Sequence, residues 1–285
     1  MIMASPDASE LVVYPTATSL LQDCERSLYA DEIDNNQLIS LLEIARVSSP
    51  GNGPATWFGA TKLNGDVRCC AANFEIDGLC LSMSGKGDAA DLVERYVDVE
   101  TAPHRVFGPH DATVHAIEKL TRHIGVSYDV TGYWQAFAIQ NATRQLRKAA
   151  GRCRPAAKED LDAVRHFGRL YEEEEPAFIS NEEYLVNKLH AGNLWCWDDG
   201  EVTSLLAVAG IIRNGFRIAA LFTPMPFRGR GYASSLIGAV VEHYLAQGMQ
   251  YSTVYADANN EKVVHLYESL GFDPIDRKVA LSIVE

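Results

Sequence analysis

Metal-binding and disulfide motifs are missing from this sequence. It has no C-x-x-C pair, no H-E-x-x-H segment and no cluster of metal-ligand spacing among its eight histidines. The six cysteines are scattered without regular spacing, which is typical of reduced thiols packed in a cytosolic protein. We therefore predict no bound metal, no disulfide framework and a cytoplasmic location.

Membrane and export signals are also missing. No apolar run approaches the roughly 20 residues of a transmembrane helix, and residues 1–7 lack a basic segment followed by an apolar one. Lys and Arg number only 25 against 38 Asp and Glu, which gives a formal net charge of -13. Because such a charge repels phosphate backbones and anionic lipid, we predict no nucleic-acid partner and no membrane partner. A cationic substrate, such as an amine, fits better.

The sequence does contain enough apolar material for two domains, since 47% of its 285 residues are hydrophobic. Periodicity predicts two helices, three strands, a helix, a strand, a helix and a strand over residues 19–139, and the same order over residues 160–284. Asn64-Gly65 predicts a hairpin turn in the first run. We predict an α/β fold class (α+β mixed sheet) with domains 1–145 and 146–285, and a diverged duplication explains the repeated order.

A glycine-rich turn joins a predicted strand to a predicted helix in the second half. Gly229 and Gly231 follow the strand at residues 217–223 and precede a helix with an apolar stripe at Leu236 and Val240. Glycines let the backbone approach a ligand closely and turn its N–H groups to one side, where the helix dipole favours an anion. The pattern suits a pyrophosphate, and the alternative is a turn that binds no ligand.

Two segments, in the right order, resemble the GNAT superfamily of acyl-CoA N-acyltransferases. Residues 228–233, Arg-Gly-Arg-Gly-Tyr-Ala, resemble its R-x-x-G-x-G/A signature. Residues 257–272 resemble its N-x-x-A-x-x-L-Y-x-x-x-G-F segment, with Val263 in place of the alanine. Met225 stands where many members have proline. The resemblance covers the second half and implies two GNAT-like domains in tandem, each a mixed, mostly antiparallel central sheet flanked by helices.

The resemblance also implies a cosubstrate, acetyl-CoA (coenzyme A). The backbone of residues 221–223 would pair with the pantetheine arm as an added strand, and the amides of residues 228–234 would surround the pyrophosphate. Asn260 would hydrogen-bond the pantetheine region. The implied cofactor-binding residues are Leu221, Phe222, Thr223, Arg228, Gly229, Arg230, Gly231, Tyr232, Ala233, Ser234 and Asn260.

Tyr267 is the residue to which the resemblance assigns a chemical step, protonation of the departing thiolate; the alternative is an aromatic packed on the sheet. The implied activity is N-acetyl transfer, in which a primary amine of a small molecule or peptide attacks the thioester directly through a tetrahedral intermediate. No base is assigned, because the four glutamates at residues 172–175 fit a solvated helix end as well as a substrate-attracting group. A catalytically silent acyl-CoA-binding sensor, or a transferase for a different acyl group or acceptor, remains the alternative.

The first half lacks the corresponding residues. Residues 84–88, Ser-Gly-Lys-Gly-Asp, occupy the place of the pyrophosphate loop, and Thr121 occupies the place of Tyr267. This half resembles the degenerate amino-terminal domain of two-domain GNAT proteins, whose role would be structural or substrate-shaping. A second working site with another cofactor is the alternative.

Overall fold

The computed structural model describes residues 9–47, 55–144, 149–174 and 182–284. The chain divides into two compact units, Met1–Trp134 with Asp276–Glu285, and Gln135–Ile275. We call these unit 1 and unit 2. The domain boundary predicted at residues 145/146 lies outside the described residues.

Unit 1 begins with a strand and two helices and continues with three strands, a helix, a strand and a helix. The bounds are β1 (Glu10–Val13), α1 (Ala17–Ala30), α2 (Glu32–Val47), β2 (Ala55–Leu63), β3 (Asp66–Phe74), β4 (Gly78–Leu81), α3 (Lys86–Val97), β5 (Arg105–Pro109) and α4 (His110–Ile124). The next strand, β6 (Tyr128–Ile139), begins in unit 1 and ends in unit 2.

Unit 2 repeats this order. Its bounds are β7 (Arg152–Pro155), a short 3-10 helix (Lys158–Asp160), α5 (Leu161–Glu174), α6 (Glu182–His190), β8 (Leu194–Asp198), β9 (Val202–Ala209), β10 (Gly215–Phe222), a second 3-10 helix (Met225–Phe227), α7 (Tyr232–Ala246), β11 (Tyr251–Asp257) and α8 (Glu261–Leu270). A last strand, β12 (Asp273–Ile283), closes the chain.

Both units have a mixed, mostly antiparallel sheet. In unit 1, β1 to β4 pair in sequence order as antiparallel neighbours, and β4 pairs with β5 in parallel. In unit 2, β7 to β10 pair in the same antiparallel way, and β10 pairs with β11 in parallel. The mixed α/β fold class is confirmed. The predicted hairpin turn is also present, because Asn64 and Gly65 have φ angles of 54° and 87°, as a turn with two left-handed residues requires.

Three strands differ from the sequence-based expectation. β1 and β7 were not predicted; each has four residues and lies at a sheet edge, and β7 ends in a proline, which an edge tolerates. The closing strand was assigned to the second half, but residues 278–282 of β12 pair antiparallel with β5 of unit 1. Alternating apolar residues indicate a strand but not which of two sheets receives it.

Each unit has its own buried core. In unit 2, one cluster packs α7 against one face of the sheet, and a second packs α5 and α6 against the other face. In unit 1, α3 and α4 pack on residues of β3 to β5 and β12. Within the part of the chain that the structure describes, no helix combines the length and apolarity that crossing a membrane requires.

Candidate functional site

Strand β10 carries a bulge at Ala219. Ile218 pairs with Val208 of β9 and Ala220 pairs with the preceding residue, Ala207, so Ala219 has no cross-strand partner on β9. One extra residue reverses the alternation of side chains along a strand. Accordingly, Ile218 packs in the cluster with α7, whereas Ala220 packs in the cluster with α5.

At the same point of β10, the pairing with its neighbour β11 ends. The parallel pairing of β10 with β11 runs from Gly215 and Tyr251 to Ile218 and Val254 and then stops. Both strands continue for several residues beyond that pair. A cavity of about 460 Å³ lies between them, lined by Tyr171, Glu174, Ile218, Ala219, Ala220, Leu221, Phe222, Thr223, Arg228, Gly229, Ala233, Val254, Tyr255, Ala256, Asp257, Asn260, Lys262, Val263, Leu266 and Tyr267.

The N-terminus of α7 lies at this cavity with its amide groups uncapped. The first backbone bond of the helix joins the N–H of Ser235 to the carbonyl of Gly231 at 3.0 Å, so residues 232–234 have no acceptor within the helix. No side chain caps the helix, and its first turn holds no acidic residue. Gly229 and Gly231 have φ angles of 75° and 83°, which favour glycine. Uncapped N–H groups and the positive end of the helix dipole are the features on which the predicted anion site rests.

Arg228 fixes this loop to two other elements. Its Nε donates to the carbonyl of Thr223 at 2.9 Å, its guanidinium lies 5.9 Å from the ring centre of Phe222, and its Nη2 forms an ion pair with Glu174 at the end of α5. The side chain therefore positions the loop against β10 and α5.

Eight of the twelve residues predicted for the site line the cavity: Leu221, Phe222, Thr223, Arg228, Gly229, Ala233, Asn260 and Tyr267. The other four belong to the same loop or the start of α7. The hydroxyl of Tyr232 donates to Asp199 at 2.7 Å, and that of Ser234 donates to the carbonyl of Gly231 at 3.0 Å. Gly231 is the N-cap of α7, and Arg230 is exposed. Because both hydroxyl groups are already bonded, Tyr232 and Ser234 would bind an anion through their backbone N–H groups.

Asn260 is the N-cap of α8, where its Oδ1 accepts from the N–H of Val263 at 3.4 Å. Asp257 stabilises the preceding turn by accepting from the N–H of Asn259 at 2.9 Å. The second sequence motif thus builds the end of β11 and the start of α8, and it places Asn260 and Val263 on the cavity wall.

Tyr267 lies one helical turn further and is only 3% exposed. Its ring packs 6.0 Å from Phe137 and 5.4 Å from Phe272, measured between ring centres. Burial, and to a lesser extent Tyr171, raises the pKa of Tyr267 well above its ordinary value. A phenol in this setting stays protonated at neutral pH, as a proton donor must.

The cavity also holds polar side chains that the sequence did not single out. Tyr171 stacks on Phe222 with ring centres 5.0 Å apart and planes 18° apart. Tyr255, Asp257 and Lys262 also line the walls. Of the four glutamates at residues 172–175, Glu174 reaches the cavity, and Glu175 lies outside the described residues. The sequence could have indicated Asp257, because this residue opens the second motif segment. No sequence pattern marks Tyr171. In the described ranges no group of histidine, cysteine and carboxylate side chains is arranged to hold a metal ion.

Comparisons with solved structures show the fold. A GCN5-related N-acetyltransferase from Sphaerobacter thermophilus matches with a TM-score of 0.59 at 17% identity, covering 98% of this chain and 96% of its own. A tandem GNAT protein from the clavulanic acid biosynthesis pathway matches with a TM-score of 0.56 at 12% identity, over 96% and 98%. A Drosophila protein matches with a TM-score of 0.69 at 13% identity, over 98% and 99%. The fold is therefore that of two GNAT-like domains in tandem.

A comparison with curated protein sequences finds no match to this chain. The family model described as Acetyltransferase (GNAT) family matches residues 155–272, which contain the bulged strand, the uncapped helix and both sequence motifs. With the cavity geometry and the tandem fold in agreement, this match shows that residues 155–272 are similar to the GNAT acetyltransferase family.

Proposed function

We propose that the protein is an N-acetyltransferase that moves the acetyl group of acetyl-CoA to a primary amine by direct attack. The observation that carries the proposal is the cleft between β10 and β11, which has an uncapped helix N-terminus and Tyr267 on its walls. Binding, orientation and proton donation can all take place in one cavity.

The cosubstrate would lie along β10. The amides of residues 229–234 would hold the pyrophosphate, because they face no intrahelical acceptor and carry the positive end of the α7 dipole. The backbone at residues 221–223, beyond the last pair with β11, would receive the pantetheine arm as an added strand. Asn260, on the opposite wall, would bind the same arm.

The bound cosubstrate supplies an acetyl thioester to this cleft. A neutral amine attacking its carbonyl creates negative charge on oxygen, which a backbone N–H can stabilise. The bulge at Ala219 is suited to that task, because Ala219 lines the cavity and has no partner on β9 or β11. Tyr267 would then give its proton to the sulfur as the bond to carbon breaks.

The acceptor loses a proton in the same reaction. Glu174 and Asp257 are the carboxylates that line the cavity, and both are already bonded, Glu174 to Arg228 and Asp257 to Asn259. We propose that the proton leaves through water held near these groups rather than by direct transfer to a free carboxylate. The acceptor would be a small molecule or a peptide amine, and the protein would act in the cytoplasm.

Acetyl transfer can be tested directly with the full chain. Acetyl-CoA and a panel of primary amines are incubated with the protein, free thiol is measured, and acetylated amine is identified by mass spectrometry. We expect amine-dependent thiol release and an N-acetyl product. Saturable binding of acetyl-CoA without any product would contradict the proposal and favour a sensor. Product from propionyl-CoA or a longer acyl-CoA, but not from acetyl-CoA, would overturn the choice of acyl group.

A further inference from the structure

A polar patch lies on the sheet of unit 2 that the proposed chemistry does not use. Arg217 of β10 and Thr253 of β11 are cross-strand partners in the parallel pair. Arg217 Nη1 and Thr253 Oγ1 are both buried, and neither has a hydrogen-bond partner. Leaving a buried donor unpaired costs about 1–3 kcal/mol, and more for a charged group. An acceptor placed between Arg217 and Thr253 would pair with both groups.

The patch faces α5 and α6. Phe216 and Ile218, on either side of Arg217, pack into the cluster with α7, so Arg217 points to the opposite face. Tyr255, two residues beyond Thr253, shares that face, and its ring centre lies 5.3 Å from the guanidinium of Arg217. Because Tyr255 also lines the cavity, the patch adjoins the place where β10 and β11 separate.

A second cation comes from α6. Leu185 and Leu189 pack this helix on the sheet, and the Nζ of Lys188 lies 5.2 Å from the ring centre of Tyr184. Burial, followed by the charge of Arg217, lowers the pKa of Lys188. The lowered pKa agrees with two cations near each other and no compensating acid.

Other cations nearby are neutralised. Arg165 and Arg169 form ion pairs with Glu182, and Arg228 forms one with Glu174. Across the described ranges, neither Arg217 nor Lys188 forms an ion pair with a carboxylate. An anion with hydrogen-bond acceptors has the chemistry to pair with Arg217.

We propose that the acceptor amine also carries a carboxylate, and that Arg217 and Thr253 bind it at the Tyr255 end of the cleft. The proposal rests on the proposed acetyl transfer and names its substrate class, an amino acid or close analogue. A net charge of -13 on the chain favours a cationic partner. A zwitterion is attracted by both charges of the protein. Its ammonium group is attracted by the negative net charge of the chain, and its carboxylate is attracted by the positive patch at Arg217.

The test compares each common amino acid with its carboxamide, which keeps the amine and removes the negative charge. Wild-type protein should acetylate at least one amino acid with a kcat/KM about 10- to 100-fold above that of its carboxamide, the size expected of a charge-assisted hydrogen bond. Arg217→Gln should bring this ratio close to one through a higher KM, and Arg217→Lys should keep part of it. Arg169→Gln, which removes an exposed arginine of the same unit, should leave the ratio unchanged.

Several results would overturn the inference while leaving acetyl transfer intact. These are equal activity on acids and carboxamides, an unchanged ratio in Arg217→Gln, or acetylation confined to amines that carry no carboxylate. A protein that acetylates no amine at all would contradict the proposed function, and the inference would fall with it. Measuring acetyl-CoA binding by calorimetry in each variant separates these cases, because Arg217 lies outside the proposed cofactor site.

Discussion

The two units repeat one order of helices and strands, yet they differ in the space where a cofactor would lie. In unit 2, the cleft beside the parallel strand pair measures about 460 Å³. In unit 1, the void beside the end of the corresponding pair, β4 with β5, measures about 10 Å³. A repeated fold therefore does not carry a repeated site, and a few side chains make the difference.

Residues of unit 1 itself fill its cleft. Lys278 of β12 is only 2% exposed, and its Nζ lies 3.4 Å from Asp34 and 3.7 Å from Asp276, measured to the nearest carboxylate oxygens. The Oδ1 of Asn35 in α2 accepts a hydrogen bond from the N–H of Met83 at 2.6 Å. Met83 follows β4, where an added strand would need a free backbone N–H group. The N–H of Met83 is already bonded to Asn35.

The N-terminus of α3 in unit 1 is also less suited to a cofactor than the N-terminus of α7 in unit 2. Asp88 lies in the first turn of α3, and a side chain at Gly85 would meet its carboxylate at 2.9 Å. Arg68 lies 3.1 Å from that carboxylate. A fixed negative charge at this place repels a pyrophosphate, whereas the first turn of α7 has none. We propose that unit 1 binds no coenzyme A and has a structural or substrate-shaping role.

The largest expected effect comes from Tyr267, which has Thr121 as its counterpart in unit 1. Tyr267→Phe keeps the ring packed against Phe137 and removes the proposed proton donor. Single-turnover acetyl transfer should fall by about 10²- to 10⁴-fold, while acetyl-CoA affinity is unchanged. Tyr244→Phe is the control, since Tyr244 belongs to the same core cluster but not to the cavity wall. An unchanged rate in folded, saturated Tyr267→Phe protein would remove Tyr267 from the chemistry.

A smaller effect, on acetyl-CoA binding, is expected at the loop that contains Gly229 and Gly231. Gly229 and Gly192 have φ angles of 75° and 71°, and neither has an atom within 4 Å of an added Cβ. Alanine therefore costs both positions the same backbone strain, about 1–2 kcal/mol. Gly229→Ala should weaken acetyl-CoA binding about tenfold by displacing an amide from the pyrophosphate. Gly192→Ala, measured by the same calorimetry, should bind normally. Equal affinities in the two variants would place the anion elsewhere.

The smallest effect is expected at Lys278. Lys278→Met removes a buried cation and leaves the carboxylates of Asp34 and Asp276 without it, so the thermal midpoint should fall. Acetyl-CoA affinity and kcat/KM should stay within about twofold of wild type, because the residue lies in unit 1. A large loss of acetyl-CoA affinity in Lys278→Met protein that is still folded at the temperature of the measurement would show that unit 1 takes part in binding the cofactor.

Much of this fold could be predicted from local pattern. Helices, strands and the Asn64-Gly65 hairpin follow from periodicity and turn chemistry, and the two motifs located the loop, Asn260 and Tyr267. The helix after the loop begins at Tyr232. Gly229 and Gly231 adopt left-handed conformations, which keep them out of the helix.

Other features depend on tertiary contacts that leave no local pattern. The bulge at Ala219 depends on the pairing of β9 and β10, and no turn residue marks it. The pairing of β12 with β5 joins residues about 170 positions apart. Arg217 and Thr253 come together only because β10 pairs with β11. Sequence periodicity identifies an element but not its neighbour.

The central claim is that coenzyme A binds in unit 2, at the uncapped end of α7, and nowhere in unit 1. The most direct test is a crystal structure of the full chain grown with coenzyme A. We predict one cofactor per chain, with its pyrophosphate against the amides of residues 229–234 and its pantetheine arm along residues 221–223. A cofactor at residues 84–88 of unit 1, or one in unit 2 that leaves the α7 N-terminus uncontacted, would contradict the account.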